Sequence, residues 1–316
     1  MKKTILLTGT LGFIFSNFLR RVIDTFPEYR WVGVDCAVKD HHLNNTFNHP
    51  NYTFYLADIA NAHVMDRIFQ IEKPDIILNG CAQSHVDDSE RDILPFIHSN
   101  VLGVQILINS CLKYKVERFI QISTDEVMGQ KLYLDDPAWT EEAPLRPRNP
   151  YATSKACAEM IVETAHKADN LQYNIIRSCN VFGARQQRIN LIPMIIHALL
   201  DNKPITIHGT GKNFRQYIFV EDEIDALMTI IKYGSPNHIY NVSAPNFYTN
   251  LQMVETISNL MDRKPNISFI PDRKVQDFGY KVSSQKLQDL GWKPSSNFEQ
   301  QMVQTIRWFQ DQHKGK

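Results

Sequence analysis

Thr8-Gly9-Thr10-Leu11-Gly12-Phe13-Ile14-Phe15 follows an apolar run, Thr4 to Leu7, and leads into a stretch that reads as a helix to about Phe26. The order is buried strand, tight turn, helix. Glycines let the backbone turn sharply and let a pyrophosphate approach the helix start, where free N–H groups and the helix dipole favour anions. Gly9, Gly12, Phe13 and Ile14 are therefore candidate cofactor contacts. A second apolar run, Trp31 to Val34, ends in Asp35, about 20 residues beyond the glycines. A carboxylate there suits the ribose hydroxyls of NAD and disfavours the extra phosphate of NADP.

Working outward, the pattern repeats. Strands are expected at Tyr52–Leu56, Asp75–Asn79, Arg118–Ile122 and Tyr173–Arg177, with helices at Ala62–Ile71, Pro95–Tyr114 and Pro150–Lys167. Alternation of this kind predicts an α/β fold, a Rossmann-type doubly wound parallel sheet with helices on both faces. In such sheets ligands lie beyond the carboxyl ends of the strands. Asp35, Asp58, Ser84, Thr124, Asp125 and Glu126 all fall there, and Asp58-Ile59 offers a place for an adenine ring. The shorter elements beyond residue 178 predict a smaller α/β lobe, 179–214 and 241–316, interleaved with a nucleotide-binding domain of 1–178 plus about 215–240. In this division the helix Glu221–Tyr233 returns to the first domain and Ile239–Val242 belongs to the lobe.

Composition excludes several classes. The 316 residues are 43% hydrophobic with a formal net charge of zero, so no nucleic-acid or membrane-surface partner is expected. Five cysteines, widely spaced and without Cys-x-x-Cys, argue against a disulfide framework or a metal site and fit a reducing, cytoplasmic setting. The N-terminal apolar run is too short for a signal segment. His41-His42 reads as a solvated loop, and His85 as structural.

Two motifs carry chemistry. Ser123-Thr124-Asp125-Glu126-Val127-Met128-Gly129 sets two acids side by side where a buried strand opens into a cleft. Of the twelve tyrosines, only Tyr151 has a lysine four residues on, Lys155, which shares its helix face. The ammonium is expected to lower the Tyr151 pKa, so that the phenol takes a proton from a sugar hydroxyl as hydride leaves the same carbon for NAD. Alone, each motif also reads as exposed charge on a loop or helix; together, after a buried strand, they read as catalytic.

At this point the chain resembles the extended short-chain dehydrogenase/reductases, and within them the nucleotide-sugar 4,6-dehydratases. The matching residues are Thr8-Gly-x-x-Gly-Phe-Ile14, Ala82-x-Ser-His-Val-Asp87, Ser123-Thr-Asp-Glu-Val127, Asn149-Pro-Tyr-x-x-x-Lys155, Leu191-Ile-Pro193, Gly209-x-Gly211, Val220-Glu-Asp222, Tyr240-Asn241 and Leu290-Gly-Trp-Lys-Pro294. The resemblance implies oxidation of dTDP- or UDP-glucose at C4, loss of water across C5 and C6, and hydride return to C6. It assigns Glu126 as the C5 base, Asp125 as the acid on the departing hydroxyl, and Thr124 with Tyr151 to the C4 oxygen. It adds Ile59, Cys81, Ala82, Ser99 and Lys155 to the NAD contacts. For the nucleoside-diphosphate sugar it implies Ser84, Asn180, Asn190, Leu191, Thr206, His208, Arg215, Asn250 and Arg273. It also implies a homodimer through Pro95–Tyr114 and Pro150–Lys167. A C4-epimerase, or a non-catalytic NAD-sensing protein of the same fold, is the alternative; the paired acids argue against the first and the intact catalytic set against the second.

Three positions depart from the family pattern. Phe15 replaces the third small residue of the glycine motif, and is expected to push its helix outward or lie along the groove. Met128 replaces a tyrosine, and Ile189-Asn190 replaces Glu-Lys. Gln83 and Pro204–Gly209 look like the dehydratase part of plant UDP-rhamnose synthases, which tilts the substrate towards UDP-glucose.

Overall fold

The computed structural model describes residues 2–37, 45–46 and 48–315, so the reading of His41-His42 lies outside the described residues. The strands in chain order are β1 (Lys3–Thr8), β2 (Tyr29–Asp35), β3 (Tyr52–Leu56), β4 (Ile76–Asn79), β5 (Arg118–Thr124), β6 (Tyr173–Ser178), β7 (Asn180–Phe182), β8 (Ile205–His208), β9 (Phe214–Phe219), β10 (His238–Val242), β11 (Asn246–Thr249) and β12 (Ile267–Ile270). Seven of them form one sheet, ordered β10-β6-β5-β4-β1-β2-β3, and every pair in it is parallel. The order reverses between β1 and β4, which opens a crevice beyond their carboxyl ends. Thr8 is opposite both Val34 and Asn79, so Gly9, Asp35 and Gly80 emerge at one edge. Ile239–Val242, expected in the smaller lobe, lies in β10 of this sheet, because it pairs with Ile175–Ser178. The remaining strands form a three-stranded sheet, β11-β9-β7, and a β12-β8 pair.

Alternation along the strands sends side chains to two cores. Leu6, Val32, Ile77 and Phe119 join one, on one face. Ile5, Leu7, Trp31, Leu78, Ile120 and Ile122 join the other, which runs on without a break through Ile195, Ile205, Met253, Phe298 and Phe309. The strands therefore read as continuous apolar runs, as strands covered on both faces do. The helix Val220–Tyr233 packs against Phe13–Val22, and Arg21 joins them by bonding Glu221 at 3.0 Å and Asp225 at 2.7 Å.

Phe15 borders the cleft over the sheet, but its ring is packed inward. It is buried, 2% exposed, against Phe18 and the inner core. The room comes from Gly80, just past β4: a Cβ at Gly80 would stand 2.6 Å from Phe15 Cε2. The space usually made by a small residue in the helix is made here by a glycine on the sheet. An alanine at 80 would overpack that contact at a cost of roughly 1–3 kcal/mol.

The expected helix Pro95–Tyr114 is interrupted. Leu94–Phe96 runs into a π-helical stretch, Ile97–Leu102, before Gly103–Tyr114 resumes as α-helix. Such widened turns concentrate at functional sites. Here the stretch presents Ser99 to the cleft. It also buries Asn100, which accepts from Gln83 N at 2.8 Å and donates to Gln83 O and Ser154 Oγ at 2.9 Å each. One amide thus ties the segment after β4 to the helix Pro150–Asp169.

Candidate active site

Two adjoining cavities, of about 330 and 340 Å³, meet at Ser84, His85, Glu126, Asn180 and Asn190. The first lies over the crevice. Gly9 holds a φ of +80, and a Cβ there would come within 2.9 Å of the Cys81 backbone. Gly12 caps Phe13–Val22 without a side chain, and no acid occupies the first turn. The helix start is thus open to an anion. Asp35 stands beside it, its carboxylate accepting from Leu11 N and Ala37 N at 2.9 Å each. Phe13, Ile14, Cys81, Ala82, Ser99, Tyr151 and Lys155 line the same cavity. A turn that only glycine fits, an open helix start and a fixed acid suit a dinucleotide. Asp58 and Ile59 do not line this cavity. Asp58 pairs with His98 at 2.8 Å, and Ile59 is buried against Gly103.

The acids follow β5. Thr124 ends the strand and caps the short turn Asp125–Met128, accepting from Glu126 N at 3.3 Å. Asp125 is 2% exposed. Its Oδ1 is 3.3 Å from the Thr124 hydroxyl, and its Oδ2 is buried with no hydrogen-bond partner among the described residues. Burial first, then the Glu126 carboxylate beside it, pushes the Asp125 carboxyl up to about 8. Burial also raises Glu126, against the pull of Asn149 and Arg215. An acid that stays protonated at neutral pH and a neighbour able to accept a proton form the arrangement that elimination needs.

Tyr151 and Lys155 share a face of Pro150–Asp169. The pKa expectation for this pair is overturned. The Lys155 ammonium donates to Ile122 O at 2.6 Å, and burial lowers its own pKa to about 8. Tyr151 is raised well above the ordinary phenol value by burial and by Glu126 and Asp125, with a hydrogen bond to Thr124 opposing them. Under Lys155 the helix buries Glu159, whose carboxylate accepts from Arg177 at 2.8 Å and from the Ser123 hydroxyl. This fixes the strand end that carries the acids.

Ser84, Asn180, Asn190, Leu191, Thr206, His208, Arg215, Asn250 and Arg273 all line the second cavity. Its two arginines are held. Arg215 donates to the carbonyls of Phe214, Asp277 and Phe278 and lies 4.7 Å above the Tyr280 ring. Arg273 forms a two-point ion pair with Asp87. The sequence reading gave no role to Asn149, Asp277 or Tyr280. Asn149 accepts from Ala152 N at 2.8 Å, capping its helix, and donates to Glu126 Oε2 at 2.7 Å. An asparagine directly before a helix-starting proline is a cap signature, and could have flagged it.

Residues 5–243 match the model of the NAD dependent epimerase/dehydratase family. The chain belongs to that family. It is 33% identical to a dTDP-D-glucose 4,6-dehydratase from Bos taurus, over 98% of this chain and 89% of that one. A trifunctional Arabidopsis thaliana protein that includes UDP-glucose 4,6-dehydratase activity is 33% identical over 97% of this chain and 47% of its own length. Among solved structures, DesIV from Streptomyces venezuelae, a dTDP-glucose 4,6-dehydratase with NAD and TYD bound, aligns with a TM-score of 0.92. It is 28% identical over 99% of this chain and 98% of that one. Family members with dehydratase names thus match the chain almost end to end.

Proposed function

We propose that the protein converts dTDP- or UDP-glucose to the 4-keto-6-deoxy sugar. The observation that carries this is the placement of the paired acids beside Tyr151, with Asp125 lining the first cavity and Glu126 at the junction of the two. Gly9, Gly12, Asp35 and Lys155 would hold NAD in the first cavity, where it would supply the hydride acceptor for C4 and the donor for C6. The second takes the nucleotide sugar, with Arg215 and Arg273 as diphosphate donors. Tyr151 acts as the phenolate: a bound NAD would bring the positive charge of its nicotinamide beside this phenol and so offset the burial and the acids that hold it protonated, and the phenolate, bonded to Thr124, takes the proton of the C4 hydroxyl. The resulting ketone acidifies C5, Glu126 takes that proton, and Asp125 protonates the C6 oxygen as it departs as water; once hydride is back on C6, the proton held by Glu126 returns to C5. Incubation with each nucleotide sugar tests the reading. A product lighter by one water supports it, and an unchanged mass with altered stereochemistry overturns it in favour of epimerisation. Curated relatives with dTDP-glucose and UDP-glucose names match about equally well, so the same assay assigns the base. Gln83 and Pro204–Gly209 favour UDP-glucose.

The pH dependence follows from Asp125. As a proton donor it works below its pKa, and the elimination rate should fall about ten-fold per pH unit above about 8. A profile still rising at pH 9 would remove Asp125 from this role.

A homodimer is part of the proposal. Leu94, Ile97 and Leu102 on one helix and Met160 on another are 43–70% exposed, more apolar surface than a solvated helix needs. Light scattering should give twice the 36.6 kDa chain mass; a monomeric mass would count against it.

A further inference from the structure

Glu126 Oε2 lies 2.7 Å from Asn149 Nδ2 and 3.3 Å from the Tyr280 hydroxyl. The same hydroxyl donates to Asp277 Oδ2, and Asp277 Oδ1 accepts from Arg148 Nε at 2.8 Å. Tyr280 and Asp277 are each only 3% exposed, so these bonds form away from bulk water.

A phenol carries one proton and two lone pairs, so Tyr280 cannot donate to both carboxylates at once. With its proton turned towards Glu126, it satisfies an ionised Glu126. With its proton on Asp277, it offers Glu126 a lone pair, which suits only a protonated Glu126. The hydroxyl thus has a good arrangement for both states of the base, before and after proton transfer.

We propose that Tyr280, backed by Asp277, is a positioning residue for Glu126, holding the ionised carboxylate and then accepting the hydrogen bond of the protonated one. This rests on the reading of Glu126 as the C5 base. Tyr280 touches no reacting atom in this scheme; it acts through Glu126.

The groups facing Glu126 are Asp125 beside it, Tyr151 on its helix, Arg215 on β9, and Asp277 and Tyr280 on the segment after β12. The Tyr280 hydrogen bond lowers the Glu126 pKa and the Asp277 charge raises it. The two variants should therefore act in opposite directions. Tyr280→Phe removes a donor to the ionised base, so the acidic limb of the elimination rate moves up by about one pH unit, with roughly ten-fold less rate on that limb. Asp277→Asn removes a repelling charge, so the limb moves down. A purely structural role would not give opposite shifts.

The test uses the full chain with its cofactor and whichever nucleotide sugar it turns over. Elimination is followed against pH by product mass, and C4 oxidation by single turnover. Expected are the two opposed shifts, with C4 oxidation changed far less than elimination. Tyr280→Phe keeps the ring beneath Arg215, so it decides alone if Asp277→Asn fails to fold. A wild-type acidic limb in Tyr280→Phe, or shifts in the same direction, overturns the inference. Glu126→Gln separates the two levels. If it stalls elimination while Tyr280→Phe leaves the profile unchanged, only the inference falls; if it eliminates at the wild-type rate, the base reading falls and takes the inference with it.

Discussion

Glu126→Gln should oxidise its sugar at C4 and then stop. The substitution keeps the side chain's length and leaves an amide oxygen for Asn149 Nδ2, which now donates to Glu126 at 2.7 Å. What is lost is the capacity to take the C5 proton. A positioned base is worth about 10²–10⁴-fold, or roughly 3–5 kcal/mol of barrier. Oxidation at C4, assigned in the proposal to Tyr151 and Thr124, should remain within a few-fold of wild type. A quenched single turnover should then contain a nucleotide sugar that has lost two hydrogens and kept its water. Asp125→Asn should stall at the same place, since it removes the proton donor and leaves Tyr151 bonded to Thr124. Equal losses in oxidation and elimination would show that the acids serve both steps or neither.

Tyr151→Phe should give the opposite pattern. The variant loses the hydrogen bond to Thr124 and the group that takes the C4 proton, while the ring keeps its edge contact with Phe96, 6.4 Å between centroids. Oxidation should fall by about 10²–10⁴-fold, and no oxidised sugar should accumulate at any stage. Nucleotide-sugar binding, proposed to draw on Arg215, Asn250 and Arg273 of the second cavity, should change little in calorimetry. Oxidation at the wild-type rate would mean that another group removes the C4 proton. The two variants divide one reaction at its midpoint, and the site's geometry predicts which side each blocks.

Much of this was legible in the sequence because it is local. The turn at Gly9 and Gly12, the acid at the end of β2 and the Tyr–Lys spacing each lie within one strand–turn–helix unit or one helical turn, where period and turn chemistry dictate structure. The unread features join distant positions. Tyr280 meets Glu126 across 154 residues, brought there by the fold and by no pattern along the chain. Phe15 looked like a defect in the glycine motif, since a motif is read letter by letter, whereas packing responds to the summed volume of Phe15 and Gly80. Sequence spacing also set Lys155 beside Tyr151, but it could not show that the ammonium would bond to the Ile122 carbonyl.

Asn149 has a consequence for how the residue at such a position is chosen. Its side chain has one acceptor end and one donor end, and both are committed: the acceptor to Ala152 N and the donor to Glu126. Serine or aspartate would start the helix about as well, yet neither would reach Glu126 with an amide N–H. Helix capping and the contact with Glu126 thus rest on one side chain. The helix that carries Tyr151 and the carboxylate proposed as the C5 base are joined through a single amide, so a shift at that helix start would disturb both together.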